Sequence, residues 1–173
     1  MTKPSLLEPH YLSLLKSVTA IVMDVDGVLT DGSLLVMENA DQLRRMNIRD
    51  GYSLQLAVKK GLTLAVITGG KSEGVVKRLN GLGIQHVIKN SDDKVSALNN
   101  LIKELNVDLK TTVYIGDDMP DLEAMKLCGI PCCPADACSE VIAISKYISP
   151  LEGGRGCVRD IVEKILKLQD KWQ

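Results

Sequence analysis

The run Val18-Thr19-Ala20-Ile21-Val22-Met23-Asp24-Val25-Asp26-Gly27-Val28-Leu29-Thr30 sets a short apolar, β-branched segment directly against two aspartates and a glycine. A continuous apolar run of that length, stopped by turn-forming residues, is the pattern of a strand buried on both faces, and such strands belong to parallel sheets. Four more runs of the same kind follow at Leu62–Ile67, His86–Ile88, Thr112–Ile115 and Ile130–Cys133. Helical periodicity fills the gaps: Tyr52–Lys60 with Gly61 behind it as a C-terminal glycine, Ser72–Leu82, Val95–Leu105, Leu122–Cys128 and Val158–Leu168. Strand–helix alternation predicts an α/β fold, a doubly wound parallel sheet with helices on both faces. Ser33–Arg49 breaks the pattern with two extended pieces around the polar turn Glu38-Asn39-Ala40-Asp41, read as a β-hairpin over 33–49.

At 173 residues and 45% hydrophobic content, the chain is expected to form a single domain, 1–173, around one core. Gly153-Gly154-Arg155-Gly156 offers the one candidate hinge. A net charge of -1 with scattered basic residues argues against a nucleic-acid partner. No apolar run approaches the roughly 20 residues of a membrane helix, so no membrane partner is expected. Met1–Ser17 reads as a short amphipathic opening helix, not a signal peptide, and a cytoplasmic location follows. The five cysteines are read as free thiols, since their spacing suits neither a disulfide framework nor a zinc site.

Ligands of an open parallel sheet bind at the carboxyl ends of its strands. The first strand ends at Asp24-Val25-Asp26-Gly27, the second at Thr68-Gly69, and the fourth at Gly116-Asp117-Asp118 with Asp121 just beyond. Carboxylates crowded on one edge repel unless a cation balances them, and a hard oxygen-liking ion such as Mg2+ suits that role alongside a phosphate group. Lys94, at the start of a helix after the third strand, is placed to bring an ammonium to the same edge. This set divides naturally into a carboxylate that attacks phosphorus, a second carboxylate two residues on that moves the proton, and Thr68 and Lys94 to hold the phosphoryl oxygens.

The four segments Asp24-Val25-Asp26-Gly27-Val28-Leu29-Thr30, Thr68-Gly69, Lys94 and Gly116-Asp117-Asp118 with Asp121 resemble, in order, the four motifs of the haloacid dehalogenase superfamily. The resemblance implies Asp24 as nucleophile, Asp26 as general acid/base, and Thr68 and Lys94 as phosphate binders. It further implies a metal site for Mg2+ formed by Asp24, Asp26 (through its backbone carbonyl) and Asp117, with Asp118 and Asp121 in support. Only 44 positions separate Asp24 from Thr68, which leaves no room for an inserted cap domain.

Asn47-Ile48-Arg49-Asp50-Gly51, Thr68-Gly69 followed by Lys71, Arg78, and Gly153-Gly154-Arg155-Gly156 with Arg159 further resemble the capless 3-deoxy-D-manno-octulosonate 8-phosphate phosphatases and relatives acting on a nine-carbon keto-deoxy sugar acid phosphate. This implies a small-molecule sugar-acid phosphate as substrate and a homotetramer associated through its hairpins. Substrate contacts are implied at Asp26, Asn47, Ile48, Arg49, Asp50, Gly51, Gln55, Thr68, Gly69, Lys94 and Arg78, the last reaching a neighbouring subunit. One departure stands out: the family often places a long charged side chain directly after Thr-Gly, and here that position is Gly70. The alternatives are the nine-carbon substrate and a non-catalytic regulatory or binding domain of the kind fused to acidic-sugar cytidylyltransferases. The presence of both Asp24 and Lys94 favours catalysis.

Overall fold

The computed structural model describes residues 11–173. Its main sheet has six parallel strands: β1 (Ala20–Met23), β4 (Thr63–Ile67), β5 (His86–Ile88), β6 (Thr112–Ile115), β7 (Ile130–Cys133) and β8 (Tyr147–Ile148), in the spatial order β5-β4-β1-β6-β7-β8. The first strand is therefore central. The chain builds outward to β5 on one side, then crosses back to β6 on the other, so the topological switch point falls at the carboxyl end of β1. Register is tight there, with Met23 level with Val66 of β4 and Ile115 of β6.

All four residues of β1 are buried, and the strand pleat divides them between two cores. Ile21 and Met23 join Leu64, Val66, Val113 and Ile115 on one face, under helices α1 (Tyr11–Lys16), α2 (Ile48–Lys59), α3 (Glu73–Gly81) and α7 (Cys157–Leu168). Val22 faces the other way with Ala65, Ile67 and Tyr114, under α4 (Lys94–Leu105), α5 (Met119–Leu127) and α6 (Ser139–Ile144). An unbroken apolar strand is thus two alternating faces, each with its own helical layer. All five cysteines are free, and all but the partly buried Cys138 are buried.

The expected hairpin is present but shorter. It pairs β2 (Leu35–Val36) antiparallel to β3 (Gln42–Leu43), with Ala40 at φ 68° in the turn. Its expected tail is helical instead. Asn47 caps α2 by accepting from the Arg49 N–H at 2.8 Å, so that helix begins four residues earlier than Tyr52. Likewise α5 starts at Met119 rather than Leu122, because the Asp118 side chain accepts from the Met119 N–H and Pro120 suits the first turn. The pair α6–β8 was not anticipated. Of the opening helix expected over 1–17, Tyr11–Lys16 is helical, and the positions before it lie outside the described residues.

The Gly153–Gly156 segment is a clamp, not a hinge. The Gly154 N–H donates to the Val28 carbonyl at 3.0 Å, the Gly153 N–H to Asp136 Oδ1 at 2.9 Å, and Asn47 Nδ2 to the Gly154 carbonyl at 3.2 Å. A Cβ on Gly153 would lie 1.9 Å from the Gly27 carbonyl oxygen, so only glycine lets the two backbones meet. α7 is tied down from α2: the Asp50 carboxylate, 1% exposed, accepts from the Arg159 N–H at 2.7 Å in the helix's first turn.

Candidate active site

Beyond Met23 the backbone leaves the sheet at Asp24, whose N–H still donates to the Ile115 carbonyl at 3.0 Å. The loop then closes on itself: Leu29 and Thr30 N–H groups return to the Val25 carbonyl, and the fully buried Thr30 hydroxyl oxygen accepts from the N–H groups of Gly27 and Gly32. Asp24 Oδ1 accepts from the Val25 N–H at 2.6 Å. Its other oxygen, Oδ2, accepts from Lys94 Nζ at 2.6 Å.

Lys94 comes from the first residue of α4, set by its Asp93 N-cap, and is 5% exposed. Its Nζ also donates to Asp121 Oδ1 at 2.8 Å. Asp121, from the first turn of α5, also accepts from the buried Tyr114 hydroxyl at 3.0 Å. Oxygens of Asp24, Asp117 and Asp121 lie within 4.8 Å of one another. One ammonium does not balance three carboxylates, and the electrostatics follow. Burial, then the charge of Asp121, pushes Asp24 up to about 6 against the opposing pull of Lys94. Burial, then Asp121 and Asp24, pushes Asp117 up to about 7. Burial alone would lower Lys94, yet Asp121 and Asp24 outweigh it and raise its value.

Glycine makes room for this packing. Gly27 sits at φ 84°, and a Cβ there would be 1.9 Å from Asp117 Oδ2. At Gly116 a Cβ would meet Asp121 Cβ at 2.5 Å. Thr68 closes the other wall: its hydroxyl accepts from the Gly70 N–H at 3.1 Å, and its backbone is anchored to Ile88 and Ser91.

A pocket of about 510 Å3 brings together Asp24, Asp26, Thr68, Gly69, Lys94 and Asp117, with Asp118 and Asp121. All the expected motif residues therefore converge. The expected sugar contacts do not line it within one chain. Asp50 and Gly51 are buried in the fold, and Asp50 serves as the α7 cap, which is a structural employment and not a surface one. Asn47 is spent on capping α2 and on Gly154. Ile48 is 80% exposed, and Gln55 is half-buried within α2. Arg78 lines a separate groove with Gln42, Leu43, Arg44 and Met46. Arg49 lines a depression of about 420 Å3 with Arg155 and Arg159 that shares no residue with the carboxylate pocket, and Arg155, Arg159, Lys164 and Lys167 there are all paired with acids.

Two neighbours of the site were not singled out beforehand. Tyr114 is one; a tyrosine inside an aliphatic buried strand needs a partner for its hydroxyl, and that was the available signal. Arg44 is the other. It forks Asp26, Nε to Oδ1 at 2.6 Å and Nη2 to Oδ2 at 2.9 Å, and nothing in its local sequence announces this.

Fold, switch point and acidic cluster together define a haloacid dehalogenase-like hydrolase, and residues 79–156 match the sequence profile of that family. The 3-deoxy-D-manno-octulosonate 8-phosphate phosphatase KdsC of Salmonella typhimurium is 33% identical over 165 residues, covering 95% of this chain and 88% of that protein. A Moraxella catarrhalis 3-deoxy-D-manno-octulosonate 8-phosphate phosphatase, crystallised with magnesium ion, phosphate ion and a KDO molecule, superposes with a TM-score of 0.90 at 38% identity, covering 93% of this chain and 92% of its own. The cobalt-bound Haemophilus influenzae enzyme superposes with a TM-score of 0.88 at 32% identity, over 92% and 93%. The chain belongs to the 3-deoxy-D-manno-octulosonate 8-phosphate phosphatase family.

Proposed function

We propose that this chain hydrolyses the phosphomonoester of 3-deoxy-D-manno-octulosonate 8-phosphate through an aspartyl-phosphate on Asp24. The observation that carries the reading is the buried Asp24 carboxylate held by Lys94 beside Asp117 and Asp121, at the switch point of a fold shared with phosphatases of that name. The donor set is all oxygen, acidic and short of positive charge, which suits Mg2+. Asp24 and Asp117 would hold it, with the Asp26 backbone carbonyl as the family implies, and Asp121 lies within reach. When bound, the ion supplies positive charge that offsets these carboxylates and the phosphoryl oxygens.

In the first step an Asp24 oxygen forms a bond to phosphorus as the bond to the sugar oxygen breaks, and Asp26 gives that oxygen its proton. In the second step Asp26 takes a proton from water as water oxygen bonds to phosphorus and the Asp24–phosphorus bond breaks, which returns both residues to their starting states. Lys94 and the Thr68 hydroxyl hold the equatorial oxygens.

We read 1–173 as a single domain, and among the described residues no inserted domain covers the site, so its mouth is left for a neighbour to close. The hairpin exposes Leu34, Leu35, Val36, Met37 and Leu43, with Leu35 and Val36 62% and 66% exposed, and this apolar patch supports a homotetramer built on hairpins. In that assembly Arg78 reaches the sugar of an adjoining subunit, and Arg49 is a further substrate contact. Cytoplasmic residence fits an enzyme of a phosphorylated sugar acid, and among the described residues no helix is long and apolar enough to cross a membrane.

Phosphate release is the test, from the eight-carbon and nine-carbon sugar-acid phosphates, with and without Mg2+, for wild type and Asp24→Asn. Metal-dependent release from the eight-carbon ester, lost in the variant, is the expected result. Release from the nine-carbon ester alone reassigns the substrate, and release from neither by folded protein removes the catalytic reading in favour of a binding role.

A further inference from the structure

We propose that Arg44 is the positioning residue for the proton-transferring carboxylate, an arm of the hairpin that fixes the plane of Asp26, and that Gly70 is the vacancy which admits it. The proposal rests on the reading of Asp26 as general acid/base. Both N–H···O contacts of the fork are short, at 2.6 and 2.9 Å, and the arginine side chain is only 8% exposed while that of Asp26 is 36% exposed. A guanidinium that contributes two parallel hydrogen bonds fixes both oxygens of a carboxylate, where one donor would leave it free to turn; when Asp26 carries its proton, the contact to its remaining carbonyl oxygen keeps the plane.

The space for this fork is made at position 70. A Cβ there would stand 3.4 Å from Arg44 Nη2, 3.6 Å from Asp26 Oδ2 and 3.3 Å from the Thr68 hydroxyl oxygen. Any long side chain at 70 would contend with the guanidinium for the same corner. A Cβ alone would fit here in ordinary van der Waals contact with the fork, so it is a longer side chain whose absence leaves the corner to Arg44. Arg44 lies one residue past β3, so Asp26 is oriented from an element that belongs to neither helical layer. The arm's stem is steadied by its own strand, with Nη1 reaching the Gln42 carbonyl at 3.4 Å.

Orientation of a general acid matters in proportion to how badly the leaving group needs a proton. An alkoxide leaving from a sugar phosphate needs one; p-nitrophenolate does not. The readout is therefore kcat/KM of the Mg2+-saturated enzyme for the sugar-acid phosphate against p-nitrophenyl phosphate, in Arg44→Met, Arg44→Lys and Asp26→Asn. Asp26→Asn is expected to lose at least about 100-fold on the sugar ester and far less on the nitrophenyl ester. Arg44→Met is expected to copy that selectivity at about 10- to 100-fold on the sugar ester and within about threefold on the other, with Arg44→Lys intermediate because it keeps the charge and loses the fork. Equal losses on both esters, or no loss on either, with Asp26→Asn still selective, would overturn the assignment of Arg44 and leave the acid/base reading standing. If Asp26→Asn is itself unselective, the acid/base reading fails first and the inference with it. Should Arg44→Met not fold, Arg44→Lys carries the same comparison.

Discussion

Titrating the metal-free protein tests the carboxylate cluster directly. Asp24 and Asp117 stand at about 6 and about 7 in the fold, against an ordinary 3.8. A carboxyl raised in the native state binds more protons there than in the unfolded chain, so stability falls as pH rises from near 4 and levels off above about 7. At about 1.4 kcal/mol per tenfold shift, Asp24 alone corresponds to about 3 kcal/mol. Protonating either carboxyl relieves the other, and Asp117 keeps some contact with water, so the cluster as a whole is expected to weaken the fold by about 4 kcal/mol across that range rather than by the sum. Urea denaturation in chelator at pH 4, 5.5 and 7.5 measures it in the Asp50→Asn protein, where buried Asp50 adds no titration of its own over that range. Repeating the series with Mg2+ adds the second half: an ion that binds only the native state stabilises it by about 2.7 kcal/mol at 100 times its dissociation constant, and here that gain should appear at pH 7.5 and fade by pH 4 as the ligands take up protons. Stability that climbs from pH 4 to 7.5 in chelator, or a magnesium effect indifferent to pH, would refute the charge-imbalance account.

Three further outcomes follow from particular contacts. Gly27→Ala forces a Cβ to within 1.9 Å of Asp117 Oδ2 at a left-handed backbone, so Mg2+ activation curves should shift at least about 10-fold to higher concentration, with a stability loss of about 1–2 kcal/mol in thermal melts. Asp50, raised by burial to about 6 with Oδ2 unpartnered, also makes the wild type lose stability between pH 4 and 6; in Mg2+-saturated protein Asp50→Asn should flatten that fall by up to about 3 kcal/mol, read by denaturation at pH 4 and 8. Under the proposed hairpin-built tetramer, replacing both Leu35 and Val36 by lysine should give smaller species in analytical ultracentrifugation while circular dichroism stays unchanged, since these side chains contribute nothing to either core.

The central sheet was legible because buried parallel strands are short apolar runs stopped by Asp or Gly, and each of the five runs became a strand. The chemical edge was legible for the same reason: the fold puts strand ends together, so Asp24, Thr68 and Asp117 met as their positions required. What failed to show was set by contacts distant in sequence. Asn47–Arg49 reads as the end of the hairpin and the helix as starting at Tyr52, because Ile48 is a middling helix former and Gly51 a poor one; the Asn47 cap is the signal that places the start at Ile48. The two-residue β8 has no periodicity to detect and exists because it pairs with Cys132 and Cys133. The role of Asp50 depends on α7, more than 100 residues on, and the fork of Arg44 on Asp26 depends on how the hairpin lies. Gly153–Gly156, flexible by composition, is immobilised by backbone contacts that composition does not encode.

That last clamp has a consequence for how the protein comes into being. Gly153, which closes against the Gly27 carbonyl, is translated 126 positions after it. At about 5–20 residues per second that interval is on the order of 10 s. Throughout it the nascent chain carries Asp24, then Thr68, Lys94 and Asp117 in turn, with only the loop's own hydrogen bonds around Val25 and Thr30 to shape it. The clamp on the nucleophile's loop therefore closes only once the segment leading into α7 has been made, long after the loop itself.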